Sequence, residues 1–217
     1  MKNYTSLLKY LGLFLLVYAI LFGIFSTTAV ATFTNYSFRS ITTPILQGIF
    51  PKAYLKLETD SPPESDIYTI SAVFTSKKKI EEAQQAARQQ AASTVDLKAQ
   101  EYDLYLHRMF TTFVLFLIAL IAITPIGWKQ KTAAVITGSL LFYIYTVFKI
   151  FIFLADLFNR SDLDIYKVSA TGGNILEGIS YVIKSLGMSA LIVVIIWVLT
   201  AFRKSNWKDI LEKVGRN

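Results

Sequence analysis

Four long stretches of this chain carry no charge, and they limit what it can fold into more than any other feature. Lys9 and Arg39 bracket 29 uncharged residues, Lys131 and Lys149 bracket 17, and Lys184 and Arg203 bracket 18. Arg108 and Lys129 enclose the fourth run, which ends at Gly127-Trp128. A helix crossing the hydrocarbon core of a bilayer needs about 20 mostly apolar residues. In lipid the backbone must satisfy its own hydrogen bonds, so each run reads as helix. The pattern predicts spans near Leu8–Thr28, Met109–Ile126, Ala133–Leu154 and Ser185–Phe202. With 53% hydrophobic and 17% charged residues in 217, too little polar chain remains to cover four such runs in a soluble fold.

The first run has features of a secretory signal: Lys2 and Lys9 precede it, and Ala29-Val30-Ala31 has the small residues of a cleavage site. Leu11–Phe25 is already long, however, and apolar character extends on both sides, so a retained anchor is expected. Orientation follows from lysine and arginine next to the spans. Lys2 and Lys9, then Lys129 and Lys131, then Arg203 and Lys204 mark three basic segments that four spans put on one side. Residues 32–108 balance nine bases against nine acids, and residues 156–184 hold three bases and four acids. Both termini are therefore expected in the cytoplasm, most naturally at a bacterial inner membrane. The formal charge of +7 lies mostly in the inner segments, which gives it a lipid-facing role and no nucleic acid partner.

The chain divides into residues 1–31 (tail and first span), 32–108 (an extracytoplasmic segment), 109–202 (three spans) and 203–217 (a tail). In the outer segment, Thr43-Pro44 resembles a helix start, with Ile45, Leu46, Ile49 and Phe50 sharing a face up to Pro51. Ala53–Thr59 and Ile67–Thr75 alternate apolar and polar residues around the turn-forming 60–65, which predicts a β-hairpin. From Lys77 the spacing of Ile80, Ala83, Ala87, Ala91, Val95, Ala99, Tyr102, Leu106 and Met109 predicts a long stalk helix running into the second span. Ser93 and Asp96 form a possible capping box that also allows two helices folding back. The fold class is an α-helical integral membrane protein, with four transmembrane helices and a small α+β extracytoplasmic domain between the first two. The 203–217 tail reads as an amphipathic helix on inner-leaflet lipid.

Little familiar chemistry is possible. Without Cys there are no disulfides, thiolate metal sites or cysteine nucleophiles, and a solitary His107 excludes paired-histidine metal signatures. No phosphate-binding glycine loop or nucleophile elbow occurs. No cofactor is expected. The polar candidates near membrane depth are Lys149, Asp156, Glu177 and Lys184, since ionisable groups there are functional candidates by default. Asp162 and Asp164 read as a solvated loop, and Thr171–Asn174 as a turn with Asn174 capping the next helix. Asn35 and Asn159 stand in glycosylation-type triplets.

A hairpin that cannot cover its own apolar face, beside an alanine-striped helix, offers contact surfaces: Tyr68, Ile70 and Phe74, and Ala83, Ala87 and Ala91. The order of one span, a large outer segment and three further spans is similar in topology to claudin-type tetraspan proteins. It is also similar to permease halves of the mechanotransmitting ABC type. Residues 32–108 lack the Cys pair and Trp of the first, and Trp128–Thr132 is short for the coupling helix of the second. The expected function is that of a non-enzymatic subunit of a membrane complex, whose partners are the bilayer and other subunits or further copies of itself. A transporter or channel component using Lys149 and Asp156 is the alternative, and a membrane enzyme using His107 or the Asp pair is the third reading.

Overall fold

The computed structural model describes residues 2–59, 69–90, 99–163 and 165–205. Its elements are α1 (Lys2–Phe25), α2 (Thr28–Ile49), β1 (Ala53–Glu58), β2 (Thr69–Ser76), α3 (Lys77–Gln90), β3 (Gln100–Tyr105), a π-helical turn (His107–Thr111), α4 (Thr112–Ile123), α5 (Trp128–Arg160), α6 (Ala170–Lys184), α7 (Leu186–Thr200) and a 3-10 turn (Phe202–Lys204). The chain forms two compact units. The described residues up to Val30, those of His107–Thr146 and those from Ser185 make a helical unit. Those within Ala31–Leu106 and Val147–Lys184 make a unit built on the sheet.

By length and composition, α1 and α5 can each cross a membrane, and α6 with α7 would make a third span if the pair, bent by 68°, counts as one. The apolar helix His107–Ile123 is shorter. The structure thus carries two to three candidate spans where the charge-free runs predict four. The bend has a local cause. Ser185 adopts an extended conformation and its hydroxyl accepts from Met188 N, so it caps α7 and ends α6 at the same point.

In the helical unit α1 runs antiparallel to α4, since Phe22 meets His107 while Phe14 and Tyr18 meet Phe116. Phe110 and Phe113 of the second apolar run stack around Phe142 of α5. Leu117, Ile121, Ala134, Phe142, Val193, Ile196 and Ala201 form the core of this unit. Gly138 makes the approach possible. A Cβ there would lie 3.1 Å from Leu117 Cδ2, 3.5 Å from Ile196 Cγ2 and 3.6 Å from Ile121 Cδ1, so two helices, α4 and α7, close on its bare backbone. The antiparallel order brings the α4–α5 turn, the end of α7 and the early part of α1 to one end of the unit. Lys129, Lys131, Arg203 and Lys9 therefore gather there.

The sheet unit corrects several expectations. β1, β2 and β3 form an antiparallel sheet in that order, pairing Leu55 with Phe74 and Ile70 with Leu104. Strands β1 and β2 fall where the alternation predicts them. The long stalk does not: the helix after β2 is α3, ending at Gln90, and Gln100–Tyr105 is a third strand. Glu101 to Tyr105 alternate with period two as well as fitting the helical spacing, and pairing with β2 decides between the two. The third strand makes β2 central and nearly all buried, which relieves the marginal stability of a lone hairpin. Helix α2 is also longer than expected, with Pro44 inside it. Proline gives up the bond to the Ser40 carbonyl. The helix continues because its buried stripe of Ala31, Asn35, Phe38, Thr42 and Leu46 stays in register across that point. Residues 60–68, the capping box at Ser93 and Asp96, and the tail from 206 lie outside the described residues.

Candidate functional site

Of the polar residues singled out by sequence, Asp156 and Glu177 meet through Arg160, and Lys184 lies over Phe153, where the second half of α5 faces α6. On α5 one face carries Lys149, Phe153, Asp156 and Arg160 at helical steps of four, three and four. On α6 Gly173, Glu177, Ser180 and Lys184 repeat the same steps. Arg160 joins the two rows. Its Nε donates to Asp156 Oδ1 at 2.9 Å and its Nη2 to Asp156 Oδ2 at 3.3 Å, and Nη2 lies 3.0 Å from Glu177 Oε1. The Lys184 ammonium sits 4.3 Å from the Phe153 ring centroid, and Tyr102 of β3 approaches Phe153 at 4.3 Å between centroids. Antiparallel helices with matched spacing thus place base against acid at one level and cation against ring at another.

Burial ranks these contacts. The Asp156 side chain is 7% exposed, whereas Arg160 is 52% and Glu177 59% exposed. A buried carboxylate needs its partner, because leaving it unpaired is costly. The exposed Arg160–Glu177 pair adds little by itself. Lys149 is buried at 4% exposure, and Ser180 Oγ is a buried hydroxyl without a hydrogen-bond partner among the described residues. The helix ends are fixed by Asn159, whose Oδ1 accepts from Val168 N at 3.0 Å. A Cβ on Gly173 would come within 2.9 Å of its Nδ2. Helix α6 starts at Ala170, earlier than the expected Asn174 cap, because Ser169 supplies the cap: its Oγ accepts from Gly172 N and its carbonyl from Gly173 N. Asn159 Oδ1 is engaged in this turn, and Asn35 is buried.

This cluster carries charge that is answered locally, and its geometry is that of a latch between helices. Among the described residues no three His, Asp or Glu side chains group as metal ligands. The His107 ring packs edge-on against Phe22 at 5.3 Å. The Asp162 carbonyl accepts from Lys79 Nζ at 2.8 Å, and Asp164 lies outside the described residues.

The contact candidates divide differently. Ile70 and Phe74 are each 1% exposed, their apolar surface buried within the chain. Phe74 meets Phe158 at 5.0 Å, and Phe158 meets Phe50 at 4.9 Å, so the sheet closes on the end of α5. Ala83 and Ala87 are half-buried on α3, while Tyr68 and Ala91 lie outside the described residues. The surface that sequence reasoning missed is β3. It has β2 on one side and no strand on the other among the described residues. Glu101, Tyr102, Asp103 and Tyr105 are exposed and line an open hollow of about 520 Å³. Ser71 Oγ donates to Asp103 Oδ1 at 2.8 Å, holding that strand to β2. No family model, curated protein or solved structure matches the chain.

Proposed function

We propose that this chain is a four-span membrane protein with both ends in the cytoplasm, serving as a non-enzymatic subunit of a membrane complex. The observation that carries the reading is the one-sided strand β3. A sheet edge with exposed side chains is a ready template for another chain, and single-chain folds commonly cover or blunt such edges. The gathering of Lys9, Lys129, Lys131 and Arg203 at one end of the helical unit supports the orientation, because basic residues favour the cytoplasmic side. Counting about 20 residues from Ala133 ends a span near Ile152. On that count Lys149 lies in the last turn of the span and Asp156 and Arg160 beyond it, which suits an ion-paired latch at the outer interface more than a buried charge relay.

The test is photo-crosslinking from β3. A benzophenone residue in place of Tyr105, in native membranes, should give a discrete crosslinked species, either with a second protein or with a second copy. A chain that yields no adduct there and is a monomer in mild detergent would contradict the proposal. The buried Lys149 favours a transporter component as the second reading. Transport by the assembled complex that survives Lys149→Leu together with Asp156→Asn would remove it.

A further inference from the structure

The turn between α4 and α5 carries an apolar groove with a basic mouth, which neither the latch nor β3 uses. Ile118 and Ile121 of α4 and Val135 and Ile136 of α5 form its walls, Trp128 and Lys131 close one end, and its volume is about 250 Å³. Trp128 is 81% and Ile136 65% exposed, so the groove opens sideways from the helix pair. The Lys131 ammonium donates to the Ala122 carbonyl in the last turn of α4, which holds it over the groove. Lysine has three N–H donors, so this bond leaves others for a second acceptor. Lys129 is exposed in the same first turn of α5, at the edge of the groove nearer Ile136, and the exposed Arg203 follows the end of α7. Neither residues 124–137 nor residues 197–205 contain an acid.

We infer that this groove binds one acyl chain of an anionic phospholipid, with the phosphate on Lys129 and Lys131 and Trp128 at headgroup level. The inference rests on the membrane reading above. The two halves of the site match the two halves of one molecule. The walls are as apolar as lipid tails, and the mouth is cationic, with no acid in the α4–α5 turn or in the described residues that end α7. A tryptophan at the junction suits the interface, where its ring is apolar and its N–H polar. Basic pockets between spanning helices on the cytoplasmic side are general sites for acidic headgroups. A zwitterionic lipid would fill the walls equally well and gain less at the mouth.

The test is native mass spectrometry of the full-length protein in detergent, titrated with phosphatidylglycerol or phosphatidylcholine. The unaltered chain should prefer phosphatidylglycerol by roughly tenfold or more, the scale expected of two lysines near a lipid surface. Lys129→Gln with Lys131→Gln should abolish the preference while leaving weak binding of both lipids. Because Lys131 also holds the end of α4, Lys129→Gln alone is the control, and it should lose part of the preference. Ile136→Trp fills the exposed side of the groove and should reduce binding of both lipids alike. Equal binding of the two lipids by the unaltered chain would overturn the inference, as would a preference that survives the double change. Displacement of phosphatidylglycerol by soluble glycerol 3-phosphate at equal concentration would also overturn it, because the groove would then contribute nothing. A chain recovered in aqueous buffer without detergent would instead remove the membrane reading itself.

Discussion

The Trp197 indole N–H donates to Thr124 Oγ1 at 2.9 Å, tying the last turn of α7 to the residue that ends α4. The same Thr124 hydroxyl donates to the Leu120 carbonyl at 2.7 Å, and Thr124 is fully buried. One side chain thus satisfies a carbonyl at the end of α4 and accepts from a neighbouring helix. Trp197→Phe loses the bond together with part of the indole packed against the core, costing about 2 kcal/mol of stability. Thr124→Val nearly keeps the shape but leaves the half-buried indole N–H unpaired, and should cost about 1 kcal/mol. Thermal unfolding of the purified chain in one detergent checks both, and the order of the two variants is the informative result.

Gly138 is expected to tolerate a methyl group and little more. Gly138→Ala places a methyl 3.1 Å from a flexible leucine terminus, which can yield, so a loss of about 1 kcal/mol is expected. Gly138→Leu has no such escape, since Leu117, Ile196 and Ile121 all converge there. It should separate α5 from α4 and α7, read as protease sensitivity of the purified chain beside a nearly unaffected alanine variant.

The latch between α5 and α6 should respond unevenly. Arg160→Ala strands the buried Asp156 carboxylate and should destabilise the chain by about 2 kcal/mol or more. Glu177→Gln removes only the exposed arm and should cost under about 0.5 kcal/mol. Arg160→Ala combined with Asp156→Leu should recover much of the loss, which identifies the unpaired charge as its cause. Comparing these three melting curves separates a desolvated pair from a surface ornament.

Membrane orientation can be read with cysteine reporters, because the chain has no cysteine of its own. Cysteines placed at Gln130 and at Glu101 should label from opposite sides of sealed cells. A membrane-impermeant maleimide should reach position 101 directly and position 130 only after permeabilisation. Labelling of both from the same side would contradict the four-span arrangement.

The apolar runs, strands β1 and β2, and the concentration of bases in three segments are legible from sequence because each is a local property. Periodicity exposes a half-buried strand, and absence of charge marks a lipid-facing helix. What is not legible depends on distant partners. Glu101–Tyr105 satisfies both a helical and a strand period, and its register against β2 decides the outcome. Pro44 looks like a start because its missing N–H is harmless there, yet burial on both sides carries α2 through it. The same holds within the site. Asp156 and Arg160 are visible as a pair four residues apart, while Glu177 reaches Arg160 only because α6 folds back along α5. Gly138 carries no signal in one sequence, since its importance lies in what two other helices place against it.

The central claim is that the chain works as part of a larger membrane assembly. Extraction from native membranes in mild detergent, followed by native mass spectrometry, measures this directly. The expected result is a defined species heavier than the 24.5 kDa chain, with fixed stoichiometry of a second protein or of further copies, that dissociates when β3 is altered by Tyr105→Pro. A species of 24.5 kDa alone, unchanged by chemical crosslinking before extraction, would contradict it.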